Sequence, residues 1–128
     1  MANTKQNLTF KKDRRVRKRA EFLQIQNSTK RGYSEHFLLT YKKEQEASAK
    51  PKTRFGITIS KKVDKRAVCR NRLRRRIREF LRIHQECIAP GLAVVIIAKP
   101  QSVDLTFSAI AKELKQLLIK LRLWLPKS

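Results

Sequence analysis

Residues 54–98 read RFGITISKKVDKRAVCRNRLRRRIREFLRIHQECIAPGLAVVIIA, and the spacing of apolar residues changes period along them. From Arg54 to Ser60, Phe55, Ile57 and Ile59 alternate with Gly56, Thr58 and Ser60, the two-residue period of a strand with one face on a core. From about Arg66 to Cys87 the period lengthens to that of a helix. Leu73, Ile77, Phe80, Leu81 and His84 then fall within an arc of about 100°. Pro90-Gly91 marks a turn, and Leu92 to Ala98 is an unbroken apolar run, which suits a central strand covered on both faces. Strand, helix and strand in this order make the centre of an α+β domain.

Working outward, Val16, Ala20 and Leu23 keep helical spacing within about Arg14 to Gln26 and predict a short amphipathic helix with a basic outer face. Asn27 to Gly32 breaks it. His36 to Lys43 alternates as a strand, with Phe37, Leu39 and Tyr41 on one side and Leu38 and Thr40 on the other. The polar stretch that follows predicts a mobile hairpin loop over residues 44–53, and residues 1–13 read as a flexible basic arm. Beyond Lys99-Pro100, Phe107, Ile110, Leu114, Leu117, Leu118, Leu121 and Trp124 predict a core-packing helix from Leu105 to Leu125. The order is α-β-β-α-β-α with room for a further short strand, in one domain over residues 1–128.

The 128 residues carry 32 Lys and Arg against 10 Asp and Glu, a formal net charge of +22. Hydrophobic residues make up 41%, enough for a core at this length, so general disorder is not expected. Residues 1–82 hold 26 basic and 7 acidic side chains, a net of +19, whereas residues 83–128 hold 6 and 3, a net of +3. Solubilising charge is spread and mixed in sign; this charge is concentrated, and it implies a polyanionic partner. No run approaches the ~20 apolar residues of a membrane span. The first 13 residues lack the apolar core of a signal peptide, so a cytoplasmic setting without a membrane partner is expected. Cys69 and Cys87 stand at opposite ends of the predicted central helix, too far apart for a disulfide, and read as reduced thiols. His84 and Cys87 share a helical face, but two ligands do not make a zinc site.

Residues 70–82 contain seven arginines: Arg70, Arg72, Arg74, Arg75, Arg76, Arg78 and Arg82. One apolar stripe anchors this helix, and arginine with Asn71 occupies almost all the rest. Like charges at i, i+4 oppose one another within a helix. A merely solvated face would mix in acids, and Glu79 is the only one here. Bound phosphates explain the pattern better, and guanidinium suits both bidentate phosphate contacts and stacking on exposed bases. Lys61 and Lys62, after the second strand, extend the patch. The ten acids are scattered, His36 and His84 show no carboxylate or nucleophile partner, and three glycines make no phosphate loop. The residues describe a binder without catalytic groups of its own.

Arg54-Phe55-Gly56-Ile57-Thr58-Ile59-Ser60-Lys61-Lys62 followed by Arg70-Asn71-Arg72-Leu73-Arg74-Arg75-Arg76-Ile77-Arg78-Glu79-Phe80 resembles the protein subunit of bacterial ribonuclease P. Val16 to Phe22 resembles that family's N-terminal basic helix, and Leu92 to Pro100 its apolar strand. The chain departs from the family pattern where Phe80 follows Glu79 directly, and at Gln26 and Thr40, where relatives carry aromatics. The resemblance implies an α-β-β-β-α-β-α two-layer sandwich similar to the second domain of ribosomal protein S5, with a left-handed crossover in the family that this sequence leaves open. It implies a non-catalytic subunit of an endoribonuclease in which the RNA subunit, with Mg2+ held mainly by RNA, removes the 5′ leader of precursor tRNA. Its partners would be ribonuclease P RNA and precursor tRNA, with no obligate protein partner. Carried over, Lys61, Lys62, Arg70, Asn71, Arg72, Arg74, Arg75 and Arg78 would bind RNA, and Phe22, Thr40, Arg54, Thr58 and Ser60 would line a cleft for the leader. Two other readings compete: a structural ribosomal-RNA binder of related fold, and a DNA-binding protein with the arginine helix in the major groove.

Overall fold

The computed structural model describes residues 19–27, 30–43 and 53–125, apart from the side chains of Glu21, Phe22 and Gln26. The helices and strands run α1 (Arg19–Gln26), β1 (Arg31–Tyr33), β2 (Phe37–Lys43), β3 (Arg54–Thr58), α2 (Ala67–His84), β4 (Leu92–Ala98) and α3 (Phe107–Lys120). β4 has no polar side chain to offer water, and the sheet encloses it. It pairs antiparallel with β2 on one side and parallel with β3 on the other, in the order β1-β2-β4-β3. The β3–α2–β4 segment is therefore a crossover between parallel neighbours.

The period of two sends alternate β4 residues to two different cores. Leu92, Val94, Ile96 and Ala98 join Phe37, Leu39 and Phe55 beneath α2 and α3, which contribute Leu73, Ile77, Phe80, Ile110, Leu114 and Leu118. Ala93, Val95 and Ile97 point the other way, where Ile25 of α1 packs on them. The stripe expected on the arginine helix is present, with Leu73, Ile77, Phe80 and Leu81 buried and Cys69 added to it.

Three departures from the sequence reading have a local reason. The expected break at Asn27 to Gly32 contains the start of β1, and the turn to β2 is closed by Ser34 N–H donating to Phe37 O at 2.8 Å. Leu121 packs so tightly over Gly32 that a Cβ there would lie 2.8 Å from its side chain. β3 stops at Thr58 because Ser60 turns the chain: its carbonyl accepts from Val63 N–H at 3.0 Å and its hydroxyl from Lys62 N–H at 3.3 Å. The last helix stops at Lys120, not Leu125. Arg122 adopts φ 62°, while Leu123 N–H reaches Leu118 O at 2.8 Å and Arg122 N–H reaches Ile119 O at 3.0 Å. That is a Schellman ending with arginine in the place usually taken by glycine. It lets Trp124 pair with Ile88 and pack against Phe80 and His84.

Residues 1–13 and 44–52 of the expected arm and loop lie outside the described residues. Thr53, placed in that loop by the sequence reading, is buried: its hydroxyl donates to Ala89 O and accepts from Leu92 N–H at 3.3 Å. Cys69 is buried and Cys87 half-buried, and both are free thiols.

Candidate nucleic-acid interface

α2 begins without an acidic residue in its first turn and without a side-chain cap at Arg66, so its exposed N–H groups add to the positive potential of its arginines. Asp64, just before it, is bound by Arg66 through two guanidinium contacts at 3.0 and 2.8 Å and through the Arg66 N–H at 2.8 Å. These Arg66 bonds hold the Asp64 carboxyl down at about 2 and raise the guanidinium in turn.

The arginines of α2 divide by what they touch. Arg70 donates to the carbonyls of Asp64 at 2.8 Å and Lys65 at 2.9 Å, bracing the turn before the helix. Arg76 donates to Leu105 O at 2.5 Å, joining α2 to the entry of α3. Arg82 grips Glu79 at 3.0 and 2.5 Å, and this bond keeps the Glu79 carboxyl below its ordinary value although burial pushes it up. Arg74 donates to Asn71 Oδ1 at 3.3 Å. Arg72, Arg75 and Arg78 are exposed, as are Asn71, Lys61 and Lys62. The expected RNA-binding residues thus lie on one turn and one helix; Arg70 and Arg74 bond within the chain, as does Arg72, whose guanidinium reaches Cys69 Sγ at 3.9 Å, while Arg75 stays exposed.

The opposite face of the sheet is ordered in rows by strand register. Thr40 stands beside Val95, which stands beside Gly56; one row along, Tyr33, Leu38, Ile97 and Thr58 line up. α1 lies over the first row, so Thr40 is fully buried and its hydroxyl finds no hydrogen-bond partner among the described residues. Thr40 therefore cannot line a cleft for RNA, and that expectation is corrected. Thr58 is half-exposed and Ser60 exposed, at the far end of the second row, while Arg54 is half-buried where β3 begins. Phe22 belongs to α1, and its side chain lies outside the described residues. Tyr33 escaped the sequence reading because it sits inside a stretch that reads as a break. It is 55% exposed, with Lys99 Nζ 5.7 Å from its ring centre.

His36 has the carboxylate that the sequence did not reveal. Its Nδ1 lies 2.7 Å from Glu113 Oε1, its backbone N–H donates to Oε2 at 2.7 Å, and the Ser34 hydroxyl donates to the same oxygen. Ser34 is bonded to the carboxylate and not to the imidazole, so the three side chains lack the nucleophile–base contact of a hydrolase and instead tie the β1–β2 turn to α3. His84 is half-buried beside Phe80 and Trp124, at 4.8 and 5.3 Å between ring centres; burial, with the nearby Lys115 charge, lowers its pKa.

Among the described residues no three His, Cys, Asp or Glu side chains converge, and the carboxylates beside the arginine face are engaged by Arg66 and Arg82.

Comparison with known proteins gives one answer. The family model described as Ribonuclease P matches residues 10–122. The ribonuclease P protein component of Microcystis aeruginosa is 39% identical over 106 residues, covering 83% of this chain and 88% of the relative. That of Syntrophus aciditrophicus is 36% identical over 113 residues, covering 88% and 91%. Among solved structures, the RNase P protein of Staphylococcus aureus superposes with a TM-score of 0.75 at 26% identity, covering 87% of this chain and 97% of that one. The RNase P protein of Thermotoga maritima gives 0.71 at 27% identity, covering 83% and 96%.

Proposed function

The chain belongs to the family of ribonuclease P protein components, and from that premise we propose how its surfaces divide the work. It is the protein subunit of an endoribonuclease that binds RNA and processes the 5′ leaders of precursor tRNA. The arginine face of α2, continued by Lys61 and Lys62, holds the ribonuclease P RNA. The row Tyr33–Leu38–Ile97–Thr58, with Ser60 at its rim and Arg54 farther along β3, receives the single-stranded leader of precursor tRNA. Phe22 would join this surface from α1.

The observation that carries the assignment is the separation of the two surfaces. Exposed guanidinium groups suit a folded RNA's phosphates, whereas an exposed aromatic beside a row of small and aliphatic side chains suits unpaired bases. The family's nuclease activity depends on divalent metal. Mg2+ is commonly held through phosphate oxygens and water, and we place it in the RNA subunit and its substrate. No helix is long and apolar enough to cross a membrane. The reduced thiols and the RNA partners favour the cytoplasm.

Titrating the protein with ribonuclease P RNA and with a DNA duplex of equal length tests the reading. Saturable binding to the RNA should persist at a salt concentration that releases the DNA. Equal salt sensitivity and equal affinity for the two would leave only a general polyanion binder.

A further inference from the structure

Between α2 and the start of α3 lies an open groove of about 440 Å³, lined by Arg72, Arg75, Arg76, Glu79 and Phe107. We infer that this groove takes one unpaired nucleobase of the bound RNA, stacked on Phe107 and Arg75 and recognised through an amino group by Glu79. The inference rests on the RNA-binding role proposed for α2 and adds a base-reading element to a face otherwise suited to phosphate.

Four features favour a base. Phe107 packs against the core yet also lines the groove, so it presents a fixed aromatic surface. Arg75 is exposed and has no protein partner among the described residues, leaving its planar guanidinium available for stacking. Arg76 is tied to Leu105 O, which fixes the distance between the two helices and keeps the groove open. Glu79 is the decisive side chain. A carboxylate repels phosphate, so a groove built for phosphate alone would exclude it. Its two oxygens accept one bond each from Arg82, which leaves acceptor capacity for a donor on a base edge. Adenine, cytosine and guanine carry an exocyclic amino group; uracil does not.

The test uses the full chain with ribonuclease P RNA, base-specific chemical probing of unpaired nucleotides, and the variants Phe107→Leu and Phe107→Tyr. The wild-type protein should protect an unpaired adenine, cytosine or guanine. Phe107→Leu should expose that nucleotide again and weaken binding by about fivefold or more, with an unchanged salt dependence because no phosphate contact is lost. Phe107→Tyr keeps the ring and should restore both protection and affinity, which separates stacking from a folding defect. If Phe107→Leu leaves protection and affinity as in the wild type, the groove holds no base while the assignment of the chain stands. Failure of the wild-type protein to bind the RNA at all would overturn both.

Discussion

Arg75 and Arg76 are neighbours in sequence with opposite duties. Arg75 is exposed to a partner, whereas Arg76 holds Leu105 O. Arg75→Ala removes one cation from the RNA face and should lower RNA affinity and flatten its salt dependence, with thermal stability unchanged. Arg76→Ala should instead destabilise the fold by about 1–3 kcal/mol, because it strands a partly buried carbonyl. Identical effects of the two on the salt slope and the melting temperature would contradict this division. That the helix is ringed with arginine is legible in the sequence, since only Glu79 opposes it. Which arginines are structural is not legible, because their acceptors are the backbone carbonyls of Asp64, Lys65 and Leu105, groups that every residue carries. Thr40 shows the converse limit. Alternation places it correctly on the face opposite Phe37 and Leu39, but only the packing of α1 reveals that this part of the face is closed. Thr40→Val removes a buried hydroxyl without a partner and should be neutral or stabilising by up to about 2 kcal/mol. It should leave precursor-tRNA affinity intact, whereas Tyr33→Ala should weaken precursor binding more than mature-tRNA binding; the reverse ranking would restore Thr40 to the cleft.

The elements were easiest to read where one pattern ran without interruption. β4 spans Leu92–Ala98 as the apolar run predicts, and α2 ends within its expected limits because its stripe is continuous. β1 is three residues long and has no run to read; what makes it a strand is pairing with β2 and the approach of Leu121 to Gly32. The end of α3 was hidden for a similar reason, since its stop lacks glycine and the apolar period carries on through Leu121 and Trp124. The turn between β1 and β2 depends on Glu113, far away in sequence, which no local pattern could supply. Burial pushes the Glu113 carboxyl up, but the bonds from Ser34 and His36 together hold it below its ordinary value of 4.5. A carboxyl lowered in the fold contributes stability above its unfolded value, and that contribution is lost as pH falls through and below about 4.5. Glu113→Gln should therefore lower the melting temperature near neutral pH, and the difference from the wild type should shrink on acidification. A gap that stays constant down to about pH 3 would show that the carboxylate's charge is not what secures the turn.

At the scale of the whole molecule, the charge imbalance and the family assignment point the same way. A net charge of +22 opposes compaction unless a polyanion offsets it, and the exposed arginine face of α2 is where we propose that polyanion docks. The sheet carries the helix on one face and leaves the row from Tyr33 to Thr58 on the other, and on the proposed division one small domain contacts two RNAs at once. The central claim is that the protein supplies binding while the RNA subunit supplies chemistry. Its most direct test is cleavage of precursor tRNA by ribonuclease P RNA at low Mg2+, measured with the RNA alone, the protein alone and the two reconstituted. The account predicts no cleavage by the protein alone and a strong stimulation of the RNA, which Arg72→Ala combined with Arg75→Ala reduces. Cleavage by the protein alone, or no stimulation over the RNA alone, would contradict it.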